Sequence, residues 1–163
     1  MKNLQGKNAV VTGAASGIGR AIAIEMAREG VNVVIADINE TGMEETAGQV
    51  RSLGVHVAIK KTDVSKKDQV SALVDFAIEE LGAIDILINN AGVGMTIAMR
   101  DLSMEKNWEW LMGINLWGPI YGCHYVLPHV IERGSGQIVN VSSISAFIPA
   151  FKAWRMPRQK LRF

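Results

Sequence analysis

Thr12-Gly13-Ala14-Ala15-Ser16-Gly17-Ile18-Gly19 is the stretch that decides the fold of this chain. It follows the apolar run Asn8-Ala9-Val10-Val11. It leads into Ile18, Ile22 and Met26, which recur at every fourth residue and mark one face of a helix. A strand, a glycine turn and a helix start in that order form an anion site. Gly13 can take a backbone shape that a side chain would forbid, and Gly17 and Gly19 let the chain and the helix approach a ligand and the strand closely. The helix then presents free N–H groups and its positive dipole end. The same eight residues taken alone also suit an ordinary tight turn between a strand and a helix, so the rest of the chain must decide.

Outward from that loop, strand and helix patterns alternate. After Gly30 stops the first helix, residues 31–36 form a continuous apolar strand, as expected where both faces are covered. A helix is predicted over 40–53, a strand over 56–60, and a helix behind Ser65 and Asp68, which have capping-box spacing. Val70, Leu73, Val74, Ala77, Ile78 and Leu81 form the face of that helix, and Gly82 ends it. Strands over 84–89 and 137–141 flank a long helical stretch over 104–133. Regular βαβ alternation implies right-handed crossovers and a Rossmann-type doubly wound α/β fold with a parallel sheet of order 3-2-1-4-5. Ligands bind such sheets at the carboxyl ends of the strands, where the order reverses, and the glycine loop falls there.

Composition bounds the remaining possibilities. The 163 residues suffice for one domain with a core, and 48% hydrophobic against 20% charged residues fits a globular protein. No run approaches a membrane span, and residues 1–7 have no apolar signal core, so a cytoplasmic location is expected. The single Cys123 excludes an internal disulfide and sits in an apolar helical stretch, where a core role is expected over a nucleophilic one. No Cys/His spacing suits a metal, and none is expected. Charge is uneven. Residues 1–150 hold 12 basic and 16 acidic side chains, whereas the last 13 carry Lys152, Arg155, Arg158, Lys160 and Arg162 and no acid. Residues 1–150 are therefore expected to form the nucleotide-binding domain, and 151–163 a basic tail of a different kind.

Asp37 ends the second strand, 18 residues after Gly19. A carboxylate there can accept hydrogen bonds from both hydroxyls of an adenosine ribose and would repel a 2′-phosphate, which favours NAD over NADP; a plain helix N-cap is the other reading. Asp63-Val64 follows the third strand and Asn89-Asn90-Ala91-Gly92 the fourth. With Thr12–Gly19, these motifs closely resemble the classical short-chain dehydrogenases/reductases, in order and spacing, across residues 4 to about 149. The resemblance implies cofactor contacts from Thr12, Gly13, Ser16, Gly17, Ile18, Gly19 and Asp37, with Asp63 and Val64 at the adenine and Asn90, Ala91 and Gly92 along the cofactor. It implies an oxidoreductase moving a hydride between NAD and a small alcohol or ketone.

Two members of the family's catalytic set have counterparts here. Asn115 fits the helix asparagine. Pro119, four residues on, has no N–H for the Asn115 carbonyl, so a kink that frees this oxygen for a water is expected; a polar residue beside a tolerated proline is the alternative. Ser143 matches the serine that hydrogen-bonds the substrate oxygen, with Ser142 beside it and a pair of turn serines as the alternative. The family's Tyr-x-x-x-Lys has no counterpart. Tyr121 and Tyr125 both precede Ser143, and Met156 stands where the tyrosine is expected, with Lys160 four residues later.

Three expectations follow. The tail is a foreign or out-of-frame segment on a dehydrogenase truncated after the catalytic serine, lacking the family's later strands and substrate-covering loop. Turnover is lost or weak, with a noncatalytic NAD-binding fragment as the alternative. The resemblance implies that homo-oligomers could form through the 104–133 helix, weakened by the truncation, and Trp108, Trp110 and Trp117 on that helix are expected to be partly exposed. Neither nucleic acid nor membrane is an expected partner, although five cations interleaved with aromatic residues in the tail keep that reading open. Residues 95–102 could line one wall of the substrate pocket.

Overall fold

The computed structural model describes residues 3–94 and 103–144. Residues 95–102 and the tail at 151–163, with Met156 and Lys160, lie outside the described residues. Five parallel strands, β1 (Asn8–Thr12), β2 (Asn32–Asp37), β3 (Val57–Lys61), β4 (Ile86–Asn89) and β5 (Gln137–Asn140), form one sheet in the order β3-β2-β1-β4-β5. This is the order expected from the alternation. β1 is central, pairing Val10 with Val34 on one side and with Leu87 on the other.

Side-chain alternation along the strands divides the core into two layers. Ala9 and Val11 of β1, with Val33, Ile35, Ile86 and Ile88, face helices α1 (Gly17–Arg28) and α2 (Glu40–Arg51), which contribute Ala23, Ala27, Met43, Ala47 and Val50. Val10, Val34, Ala36 and Leu87 face the other way, against Leu73, Val74 and Ala77 of α3 (Lys67–Leu81) and Val126 of α5 (Gly118–Arg133). Burial on both faces explains why residues 31–36 read as an unbroken apolar run.

One local expectation is corrected and another is made specific. Ser65 and Asp68 do not form a capping box: Lys66 is the N-cap of α3, and no side chain caps it. The Ser65 hydroxyl donates instead to Asp63 Oδ1 at 2.7 Å, because the chain is still turning out of β3 at that point. The 104–133 stretch is helical but not a uniform α-helix. π-turns at Met104–Trp108 and Gly113–Trp117 bracket the short α4 (Glu109–Met112) before α5 begins. Pro119 stands in the first turn of α5, where its missing N–H breaks the i→i+4 ladder, and the preceding turn is the widened one. Trp110 and Trp117 are exposed and Trp108 is half-buried. Cys123 is half-buried rather than fully in the core. No helix among the described residues is long and apolar enough to cross a membrane.

At the amino ends of the strands, Asp85 ties three segments together. Its Oδ2 accepts from the Asn8 N–H at 3.0 Å, and its Oδ1 lies 3.2 Å from Arg133 Nη2 and 3.4 Å from Lys7 Nζ. Burial pushes the Asp85 carboxyl up. The Asn8 N–H, the Arg133 hydrogen bond, and the charges of Lys7 and Arg133 outweigh that and hold it below the usual carboxylate range.

Candidate functional site

The opposite, carboxyl end of the sheet holds a groove. The turn after β1 rises into α1, whose N-cap Ser16 makes no side-chain cap, so the first-turn N–H groups are not satisfied by it. Gly19 fits only because it lacks a side chain: a Cβ there would overlap the Gly13 carbonyl oxygen and lie 2.5 Å from Asn90 Nδ2. Asp37 reaches across from the end of β2. Its Oδ2 accepts from the Ala15 N–H at 3.0 Å and its Oδ1 from the Asn39 N–H at 3.0 Å. Asp37 is therefore not the N-cap of α2. Asn39 takes that position, its Oδ1 accepting from the Gly42 N–H.

The loops after β1 and β4 are laced together. The Thr12 hydroxyl accepts from the N–H groups of Asn90 and Ala91 at 3.0 and 3.1 Å, and Asn90 Nδ2 donates to the Thr12 carbonyl at 2.9 Å. Thr12 is buried beneath the groove and is not among its lining residues, so its part is to hold Asn90 and Ala91 in place. After β3, Asp63 Oδ1 accepts from both the N–H and the hydroxyl of Ser65, which closes a tight turn with Val64 at its centre.

These pieces line a cavity of about 430 Å³, a volume suited to a small molecule or cofactor. Gly13, Ser16, Gly17, Ile18, Gly19, Asp37, Asp63, Val64, Asn90, Ala91 and Gly92, all expected from the sequence, line it. Ile18 and Ile38 stand 66% and 65% exposed at its surface, an apolar face such as a flat ring could cover. Two carboxylates and no Lys, Arg or His occur among the described lining residues. Sequence reading passed over Ile38, Thr62, Ser65, Val93, Trp110 and Ile114. Ile38 had a signal, as an apolar residue directly after the strand-ending acid. Trp110 and Ile114 had none, since only the packing of Gly113 and Gly118 against Ser65 and Val64 brings their helical stretch to this wall.

An adjoining cavity of about 380 Å³ shares Ile18 and 90–93 with the groove and adds Asn115, Pro119, Val141, Ser142 and Ser143. Asn115 and Ser143 thus converge on one space, from the widened helical turn and the end of β5. The Asn115 side chain forms a two-way clamp: its Nδ2 donates to the Val93 carbonyl and its Oδ1 accepts from the Val93 N–H, both at 2.8 Å. The loop after β4 is thereby pinned to the helix, a link that no spacing rule announced.

This geometry has counterparts among known proteins. Residues 7–154 match the short chain dehydrogenase family. A cyclohexanol dehydrogenase of an Acinetobacter strain is 36% identical over 143 residues, covering 87% of this chain and 57% of the relative. An oxidoreductase of Staphylococcus saprophyticus is 39% identical over 148 residues, covering 90% of this chain and 63% of the relative. The crystal structure of a short chain dehydrogenase/reductase from Burkholderia phymatum in complex with NAD superposes with a TM-score of 0.88 at 37% identity, over 91% of this chain and 53% of that one. The chain spans about three-fifths of the length of the curated relatives it matches.

Proposed function

Because the chain belongs to the short-chain dehydrogenase family, we propose that its groove binds NAD in preference to NADP and that the adjoining cavity receives an alcohol or ketone. The observation that carries the preference is the Asp37 carboxylate at the groove wall, with no cationic side chain among the described lining residues. A 2′-phosphate there would meet like charge without compensation. The cradle suits a dinucleotide. Gly13 and Gly19 let the loop after β1, the start of α1 and the loop after β4 pack closely, and the α1 N-terminus at the groove offers N–H groups for a pyrophosphate. Nicotinamide, when bound, supplies the hydride acceptor. The Ser143 hydroxyl would hydrogen-bond the substrate oxygen, and the Asn115 clamp on Val93 would keep the two cavities in register.

Titration with NADH and NADPH tests the preference. NADH is expected to bind at least about tenfold more tightly, and Asp37→Asn to bring the two affinities together. Equal affinities in the unaltered chain would sink the role given to Asp37.

Turnover is a separate matter. No tyrosine follows Ser143 in these 163 residues. A positioned acid/base is worth about 10²–10⁴ in rate, so NADH formation from a panel of secondary alcohols should fall below that of the full-length relatives by at least this order. Binding without turnover would leave a noncatalytic NAD-binding chain. Rates equal to those of the relatives would show that another group moves the proton.

A further inference from the structure

We propose that Arg20 and Thr46, neither of which lines the groove, are positioning residues that hold the buried Ala14-Ala15 turn and thereby orient the adjoining Ser16 N–H for the dinucleotide; this rests on the groove's taking NAD. Ala15 is gripped on both sides, through the peptide group before it and the one after it. Its N–H donates to Asp37, and its carbonyl accepts from Arg20 Nη2 at 2.5 Å. The same guanidinium reaches the Gly42 carbonyl at 3.3 Å, the Thr46 hydroxyl at 3.0 Å through Nε, and Glu45 at 2.9 Å. Thr46 is fully buried, and its hydroxyl lies 3.0 Å from the Ala14 carbonyl and 2.9 Å from that of Gly42, donating to one of these acceptors while accepting from Arg20. The chain of contacts closes on itself through the Asn39 N–H bond to Asp37 and the Asn39 cap on Gly42. Gly42 makes room for it, since a Cβ there would lie 2.8 Å from the Ala15 carbonyl oxygen.

The chemical consequence lies in the direction of one peptide group. An anion in the groove is attracted by N–H groups and repelled by carbonyl oxygens. Arg20 draws the Ala15 oxygen toward α2, with Thr46 holding the guanidinium there, so the Ser16 N–H of the same trans peptide points the other way, and Ser16 lines the groove. A planar fork of donors suits several acceptors at once, which a single ammonium cannot match. The surface pair with Glu45 does not account for Arg20, because Glu45 is more than half exposed and such pairs contribute little.

The test is NADH affinity of the whole chain, measured by fluorescence well below each variant's melting midpoint. Arg20→Met and Thr46→Val are each expected to raise Kd about tenfold, and the double variant little more than either, since both cut one circuit. Arg20→Lys should not restore binding. Glu45→Gln and Asp85→Asn should leave Kd within about twofold, although Asp85→Asn melts earlier, which separates positioning from stability. Thr46→Val, buried and isosteric, decides alone where Arg20→Met does not fold. Unaltered Kd in Arg20→Met and Thr46→Val, or fully additive losses, would overturn the positioning role only. Failure of the unaltered chain to bind NADH would overturn the cofactor reading, and this one with it.

Discussion

Gly19→Ala is expected to lower NADH affinity by at least about a hundredfold and to destabilise the fold by about 2 kcal/mol. The added methyl would overlap the Gly13 carbonyl oxygen and sit 2.7 Å from the carbonyl carbon and 2.5 Å from Asn90 Nδ2. None of these is the loose end of a long side chain. The Gly13 carbonyl is backbone, and Asn90 Nδ2 is itself tied to the carbonyls of Thr12 and Gly13. Relief therefore requires α1 to move away from β1, which separates the first-turn N–H groups from the place where a pyrophosphate would lie. Calorimetry with NADH and a thermal melt would read both effects. Gly48→Ala is the control. Nothing lies within 4 Å of a Cβ at Gly48, on the exposed face of α2, so alanine should stabilise the protein by about 0.5–1 kcal/mol through helix propensity. A Gly19→Ala variant that binds NADH like the unaltered chain would show that the close approach of helix and strand is not needed.

Asp85→Asn is expected to cost about 2 kcal/mol at neutral pH, with the cost shrinking in acid. The Asp85 carboxylate is 6% exposed and sits between Arg133, the Asn8 N–H and Lys7. An amide there removes the charge and leaves two cations facing a neutral group. Lys7 is 40% exposed and Arg133 30%, so water screens part of the loss. Because the folded carboxyl lies below its ordinary value of 3.8, its contribution is fully present above that pH. It is lost as pH falls through the lower, folded value. Urea unfolding at pH 7 and near pH 3 should show the two proteins converging in acid. A gap of equal size at both values would mean that packing, not charge, makes Asp85 matter.

How much was legible in advance depended on how local the physics was. Val10, Val34 and Leu87 declared themselves because a buried parallel strand must be apolar on both faces, and that requirement is written in consecutive residues. Asp37 was legible as a groove residue from its place at a strand end. Its grip on the Ala15 N–H was not, because residues 22 apart meet only after β2 pairs with β1. The Ser65–Asp68 spacing misled for the converse reason: Asp63 competes for the Ser65 hydroxyl and wins by closing the turn first. Pro119 correctly marked an irregular helix. The clamp between Asn115 and Val93, 22 residues apart, had no pattern to betray it.

The sequence by itself determined the strand order, the glycine turn, the family resemblance and most of the groove lining. Each rests on periodicity or on short spacings that a chain must obey locally. Only the tertiary structure decided what holds the site in shape: Thr12 under Asn90, Arg20 behind Ala15 with Thr46 beside it, Asn115 on Val93. These are hydrogen bonds between side chains and backbone groups, most of them far apart in the chain; Arg20 and Ala15 are close in sequence, but the guanidinium is held there by Gly42 and Thr46 of α2. Which side chain meets a given backbone group depends on where packing brings the segments, and short spacing rules do not encode that.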